Sequence, residues 1–262
     1  MIDCHLHLQD DSFARDIEEI MATLREVGVT CLVVNGTCPA DWDRVATLAK
    51  HYPEVVPFFG VHPWKVDECE PGWDKLLVSF LEEFPNAGIG EIGLDKWIRN
   101  HDIAKQKRFL NGQLEIAAQF QRPIAVHCLK AWGHLLDSLK ASIFSSPFLL
   151  HSFSGPEEMI PEFVELGAFF SVSGYFFRSD KISKLKVFEQ IANERILLES
   201  DAPDMPLPAE LVRYLHREVN HPANIAAIYE IFSEWRGIPI GPLSDLISEN
   251  FGSWIGGEVS SA

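Results

Sequence analysis

Short apolar runs rich in β-branched and aromatic residues recur at residues 1–8, 31–37, 55–62, 88–95, 123–128, 148–153, 169–174 and 196–201. Each is too short for a typical helix and reads as a buried strand. Between them, residues 13–27, 41–51, 73–84, 103–120 and 182–193 space their apolar positions at the helical period, as expected of helices that bury one stripe. Gly28 and Gly167 fall where helices should stop. Pro161 predicts a short or kinked helix after Gly155, since an interior proline removes a donor and clashes with the preceding turn. Residues 209–216, 222–235 and 243–254 read as closing helices.

Strict alternation of strands and helices requires a parallel sheet with right-handed crossovers. Eight such units over 262 residues predict an α/β fold, a single TIM-type (β/α)8 barrel domain spanning residues 1–262 with extra C-terminal helices. An open doubly wound sheet is the alternative, but it gathers its ligands at one switch crevice. Here ligand-type side chains recur at the ends of the first, fourth, fifth, sixth and eighth strands, as His5 and His7, Glu91, His127, His151 and Asp201.

That recurrence points to a buried metal site. His5 and His7 are two apart on one strand and therefore share a face. Asp3 lies on that face too, where it either orients a ligand through a hydrogen bond or is a structural carboxylate near the barrel floor. Glu91 shares a face with Gly93 and Asp95, and its carboxylate can bridge two ions; glycines there allow close approach of backbone and ligand. His127 and His151 each end an otherwise apolar run. Asp201 ends the last strand with Glu199 one layer below, and a buried pair of carboxylates calls for nearby positive charge. His62 and Asp95 at the mouth either hold substrate or brace a ligand, and His62 before Pro63 also reads as an ordinary loop histidine.

Net charge narrows the partners. At −16 the chain opposes broad attraction to a phosphate backbone, which leaves strand ends, short single strands or small anions drawn in by metal ions and a local basic patch. Residues Lys96, Arg99, Lys105, Lys107 and Arg108 offer such a patch or a merely solvated helix face. Five cysteines, Cys4, Cys31, Cys38, Cys69 and Cys128, without short paired spacing argue against a disulfide framework and a thiolate zinc site. No apolar run is long enough to span a bilayer, and no leader precedes the first strand, so a cytoplasmic chain is expected.

The motifs together resemble those of the TatD-like metal-dependent hydrolases, a branch of the amidohydrolase superfamily of (β/α)8 barrels. Asp3-Cys4-His5-Leu6-His7 is similar to that family's opening motif, and Gly60-Val61-His62-Pro63 to its third-strand motif. Gly90 to Asp95, Val126-His127, Leu150 to Gly155 and Glu199 to Pro203 resemble its remaining motifs, with Asn250-Phe251 similar to its C-terminal element. The resemblance implies that His5, His7 and Asp201 hold one metal and His127 and His151 a second, bridged by Glu91 where many amidohydrolases use a modified lysine. It also implies deoxyribonuclease chemistry, magnesium-dependent in several relatives, with ester cleavage a minority activity. Lys96 and Trp97 depart from the aromatic residues many relatives carry after the central motif.

The expected enzyme is a hydrolase that uses a water activated by two divalent ions, with Asp201 as proton acceptor. Four imidazoles with two carboxylates suit zinc, manganese, iron or nickel better than magnesium, so zinc is the expected ion at isolation, with magnesium or manganese in activity. The expected substrates are DNA ends or short single-stranded DNA. Rival readings are hydrolysis of a small ester, lactone or amide, and a metal-stabilised binding barrel without turnover. Arg178, just past the seventh strand, is a further candidate for positioning substrate or a plain surface arginine.

Overall fold

In the computed structural model, which describes residues 1–256, strands and helices alternate as β1 (Ile2–Leu6), α1 (Ile17–Glu26), β2 (Cys31–Asn35), α2 (Pro39–His51), β3 (Val55–Phe58), α3 (Trp73–Glu83) and β4 (Ile89–Asp95). The order continues as α4 (Ile103–Phe120), β5 (Ile124–Leu129), α5 (Trp132–Ala141), β6 (Phe148–Leu150), α6 (Ile160–Glu165), β7 (Ala168–Ser173), α7 (Ile182–Leu185) and β8 (Ile196–Glu199). All neighbouring barrel strands pair in parallel, β1 through β3 in one run and β4 through β8 in another. Backbone bonds across the two seams complete the barrel. Gly88 N donates to Pro57 O at 3.1 Å and Gly90 N to Phe59 O at 3.2 Å, while Asp201 N donates to His5 O at 3.0 Å and His7 N to Ala202 O at 2.8 Å. The second seam joins two of the predicted ligand-bearing segments directly.

Strand residues are buried on both faces, one set filling the barrel and the other packing on the helices. Trp42, Trp254, Tyr229 and Phe153 are among the largest fully buried side chains. Asn250 ties the last helix, α9 (Ile240–Ile255), to the barrel, its Nδ2 donating to Asn193 O at 2.7 Å and Ile196 O at 2.8 Å. Gly93 has φ +147°, and an added Cβ would lie 1.9 Å from His127 O, so the glycine serves the approach of two backbones rather than of a ligand.

Several elements differ from expectation. Residues 209–216 form a short 3-10 turn (Ala209–Leu211) and an antiparallel pair, β9 (Leu215–His216) with β10 (Val219–Asn220), in place of a helix. The Asn224 side chain accepts from Arg213 N and Tyr214 N at 3.0 and 2.9 Å and donates to Tyr214 O at 2.9 Å, taking backbone groups a helix would use. Residues 182–193 are helical only to Leu185, and 3-10 turns follow. There Arg236 draws off the carbonyls of Phe188 and Ile191 at 2.9 and 2.7 Å. Helix α5 has no counterpart in the sequence reading, whereas Pro161 does fall in the first turn of a short helix. The other two closing segments hold, α8 (Ile225–Arg236) after a 3-10 turn and α9. All five cysteines are unpaired thiols. Among the described residues no helix is long and apolar enough to cross a membrane.

Candidate metal centre

At the carboxyl ends of the strands lies a cavity of about 1250 Å³, with His7, His62, Glu91, His127, His151 and Asp201 in its lining. Strand and loop geometry place each of them. His5 and His7 flank the end of β1, Glu91 lies within β4, and His127 lies within β5. His151 and Asp201 follow immediately after β6 and β8, and His62 follows β3 by a few residues, turned inward by its backbone bond to Thr37 O at 2.8 Å.

Glu91 is the hub. Its Oε1 lies 2.8 Å from His151 Nε2, 2.9 Å from His127 Nδ1 and 3.2 Å from His62 Nε2. Its Oε2 lies 3.4 Å from His5 Nε2 and 3.2 Å from His7 Nε2, and Asp201 Oδ1 is 3.7 Å from both of those nitrogens. One carboxylate therefore faces two histidine sets. Three donor groupings fall within 4.8 Å: His5, His7 and Asp201; His62, Glu91 and His127; His5, His151 and Glu199. His62, expected only to hold substrate or brace a ligand, thus stands as close to Glu91 as the ligand-type histidines do.

Outer partners fix the rings. His7 Nδ1 lies 2.8 Å from Asn35 O, a carbonyl that can only accept, so this nitrogen carries the proton and Nε2 faces the cluster. His127 Nε2 lies 3.0 Å from Asp95 Oδ2, which turns Nδ1 inward. Asp95 Oδ2 also accepts from Trp64 Nε1 at 2.6 Å. Glu199 sits 3.7 Å from His151 Nδ1 and accepts from Ser152 N at 2.8 Å, Ser152 Oγ at 2.5 Å and Ser171 Oγ. Asp3 Oδ1 accepts from Ser200 N at 2.9 Å and His5 N at 3.4 Å, so it meets the ligand strands through their backbone.

Burial and the close approach of the charged groups to one another set the electrostatics of the cluster. Burial, aided by His151, pushes His5 down to about 4, and burial likewise brings His62 to about 4. For His7, burial is outweighed by Glu91 and Asp201, which raise it to about 9. Glu91 is held well below the usual carboxylate range, since His151, His62 and His127 overcome its burial. Burial raises Asp201 to about 8, with Glu199 and Glu91 adding to it against His151, and burial raises Asp3 to about 7.

The donor set fits divalent metal ions on one decisive observation. Both ring nitrogens of fully buried His5 lack a hydrogen-bond partner, although Nε2 points at two carboxylates. A buried orphan of this kind is costly unless a cation completes it. The profile of TatD-related DNases matches residues 2–256. The chain belongs to the TatD-related DNase family. It is 30% identical over 240 residues to the 3'-5' ssDNA/RNA exonuclease TatD of Salmonella typhimurium, covering 90% of this chain and 92% of that protein. The crystal structure of the TatD homologue YjjV from Escherichia coli superposes with a TM-score of 0.90 at 26% identity over 98% of both chains. YjjV is named a metal-dependent hydrolase, and the present chain belongs with these enzymes. A TatD family hydrolase from Entamoeba histolytica shares the fold at TM-score 0.87, 22% identity and 97% coverage of both chains.

Around this centre the TatD-type chain departs from expectation at the rim. Trp97 lines the cavity while its exposed neighbour Lys96 does not. Arg178 is absent from the lining; it packs on Tyr175 at 5.3 Å and pairs with Asp180 at 3.4 Å. Lys181, just before α7, and Lys184, within it, line the cavity instead. Lys105, counted in the basic patch, is paired with Asp67 at 2.7 Å. Trp64 and Lys130, both in the lining, are not among the residues expected from sequence, although each directly follows a segment that carries an expected site residue. A tryptophan next to His62-Pro63 was the available signal.

Proposed function

We propose that this chain is a metal-dependent phosphodiesterase that hydrolyses single-stranded nucleic acid from an end, with two divalent ions held by His5, His7, Glu91, His127, His151 and Asp201. The observation that carries the reading is Glu91, whose Oε1 and Oε2 face separate histidine sets at 2.8–3.2 Å and 3.2–3.4 Å. Bridging carboxylates between adjacent ions are the usual means of assembling a two-metal site for in-line displacement. His62 supplies an additional donor on the Oε1 side.

When bound, such ions lower the pKa of a water and polarise the scissile oxygen. The protein's own groups do the rest. Asp201, at the cavity wall beside His5 and His7, accepts the proton of the attacking water and returns it to the leaving oxygen. Asp95 and Asn35 hold the His127 and His7 rings so that each aims one nitrogen inward. Glu199 and Asp3 brace the strand ends from below. The cavity of about 1250 Å³ has room for a strand end or a short oligonucleotide, and the net charge of −16 disfavours long duplexes. The relatives' exonuclease and metal-dependent hydrolase names support the same class. Zinc suits the imidazole-rich donor set at isolation, and magnesium or manganese remains compatible with turnover.

End-labelled single-stranded DNA should be shortened stepwise, with loss of activity on chelation and recovery on adding metal. Turnover confined to a parallel panel of small esters, lactones and amides would replace the phosphodiester reading by hydrolysis of those compounds. No chelator-sensitive turnover on either panel would leave a non-catalytic barrel.

A further inference from the structure

Two tryptophans stand bare at the mouth of the cavity. Trp64 is 46% and Trp97 59% exposed, both line the cavity, and their rings lie 6.5 Å apart at an interplanar angle of 27°. Large aromatic rings left in water at one spot mark a binding surface more often than a packing defect. The Trp64 ring and the Trp97 backbone are also held in place. Asp95 Oδ2 accepts from Trp64 Nε1 at 2.6 Å, while Asp95 Oδ1 accepts from Trp97 N at 2.5 Å and Ile98 N at 3.2 Å. The same carboxylate meets His127 Nε2 at 3.0 Å, so one side chain sets the platform against the candidate metal centre. Trp64 further packs edge-on against His62, with 5.1 Å between ring centroids.

A cation sits on the adjoining strand end. Asp95 and Leu129 are partners in the β4–β5 register, and Lys130 follows Leu129 into the cavity wall. Arg44 and Lys65, which also line the cavity, pair with Asp11 and Glu68. Lys130 makes no ion pair among the described residues.

We propose that Trp64 and Trp97 form a nucleobase subsite, on which the base of a terminal nucleotide stacks while Lys130 meets a phosphate of the same strand. This deepens the single-stranded nuclease reading and rests on it for the reaction, but binding at the subsite is independent of turnover. Stacking on an aromatic face needs an unpaired base and tolerates any base, so the subsite would select single strands without reading sequence. It also offsets the repulsion expected between an acidic chain and a polyanion, because it takes affinity from the base.

The test is intrinsic tryptophan fluorescence of the full chain titrated with the dinucleotide thymidylyl-thymidine, against a base-free sugar phosphate as control. The expected result is saturable quenching by the dinucleotide and none by the control. Trp97→Ala should weaken dinucleotide binding roughly 5- to 150-fold, the span of one lost base–aromatic stack. Trp97 is exposed, so this variant keeps its fold, and Trp64 is left intact to hold Asp95. Lys130→Ala should weaken binding and flatten its salt dependence. Equal binding of dinucleotide and base-free control, or unchanged binding in Trp97→Ala, overturns the subsite. So does an aromatic ester without phosphate that binds as tightly as the dinucleotide in both proteins. Quenching as expected in a protein that cleaves no oligonucleotide would uphold the subsite and overturn the nuclease reading alone.

Discussion

Trp64 Nε1 donates to Asp95 Oδ2 across 2.6 Å, and through that contact the mouth of the cavity is joined to its floor, because the same oxygen lies 3.0 Å from His127 Nε2. Removing the charge of Asp95 therefore loosens His127 as a donor. Asp95→Asn should lower metal affinity by ~10–100-fold, the cost typical of losing such an outer partner, with the fold retained. Calorimetric metal titration alongside circular dichroism checks this, and an unchanged affinity would detach Asp95 from the centre.

Asp201→Asn keeps the shape of the side chain but removes the proton acceptor. Turnover should fall by ~10²–10⁴-fold, the usual worth of positioned general-base catalysis, in protein shown to contain its metal. Wild-type kcat in that variant would refute the role.

Metal affinity should climb with pH. In the metal-free protein His7 is raised to about 9 and Asp201 to about 8, so near neutrality both hold protons that an incoming cation must displace. The gain should accrue as pH rises from 6 through 9, and His127 and His151, held above the ordinary imidazole range by Asp95, Glu91 and Glu199, add to it. Calorimetry in buffers of different ionisation enthalpy would register the released protons; heats independent of buffer contradict the assignment.

Gly93→Ala tests the barrel beneath the site. Its φ of +147° is unfavourable for alanine, and the new Cβ would lie 1.9 Å from His127 O, an atom of the neighbouring strand. A loss of about 3 kcal/mol is expected, at the upper end for backbone strain. Thermal unfolding reads this as a drop of roughly 2–4 °C per kcal/mol.

The barrel strands were legible because buried parallel strands are short apolar runs, and the candidate ligands were legible because each interrupts or ends such a run. Helix α5 carries the same kind of signal, with Trp132, Leu135, Leu136 and Leu139 buried at helical spacing, but is not among the expected helices. Elsewhere the deciding group was distant in the chain. Asn224 bonds the backbone of Arg213 and Tyr214, and Arg236 takes the Phe188 and Ile191 carbonyls in the turns beyond Leu185, through side-chain bonds that periodicity does not encode. The mouth is obscure for the same reason: Trp64 and Lys130 lie on loops, and only the closed barrel brings them beside Asp95 and the cavity.

Glu91 is proposed to join two metal ions on one chain. Quantitative metal analysis of active, dialysed protein by inductively coupled plasma mass spectrometry tests it most directly. Approximately two divalent ions per chain are expected, as in two-metal hydrolases, and a metal-free or single-ion protein with full activity would contradict the bridged pair.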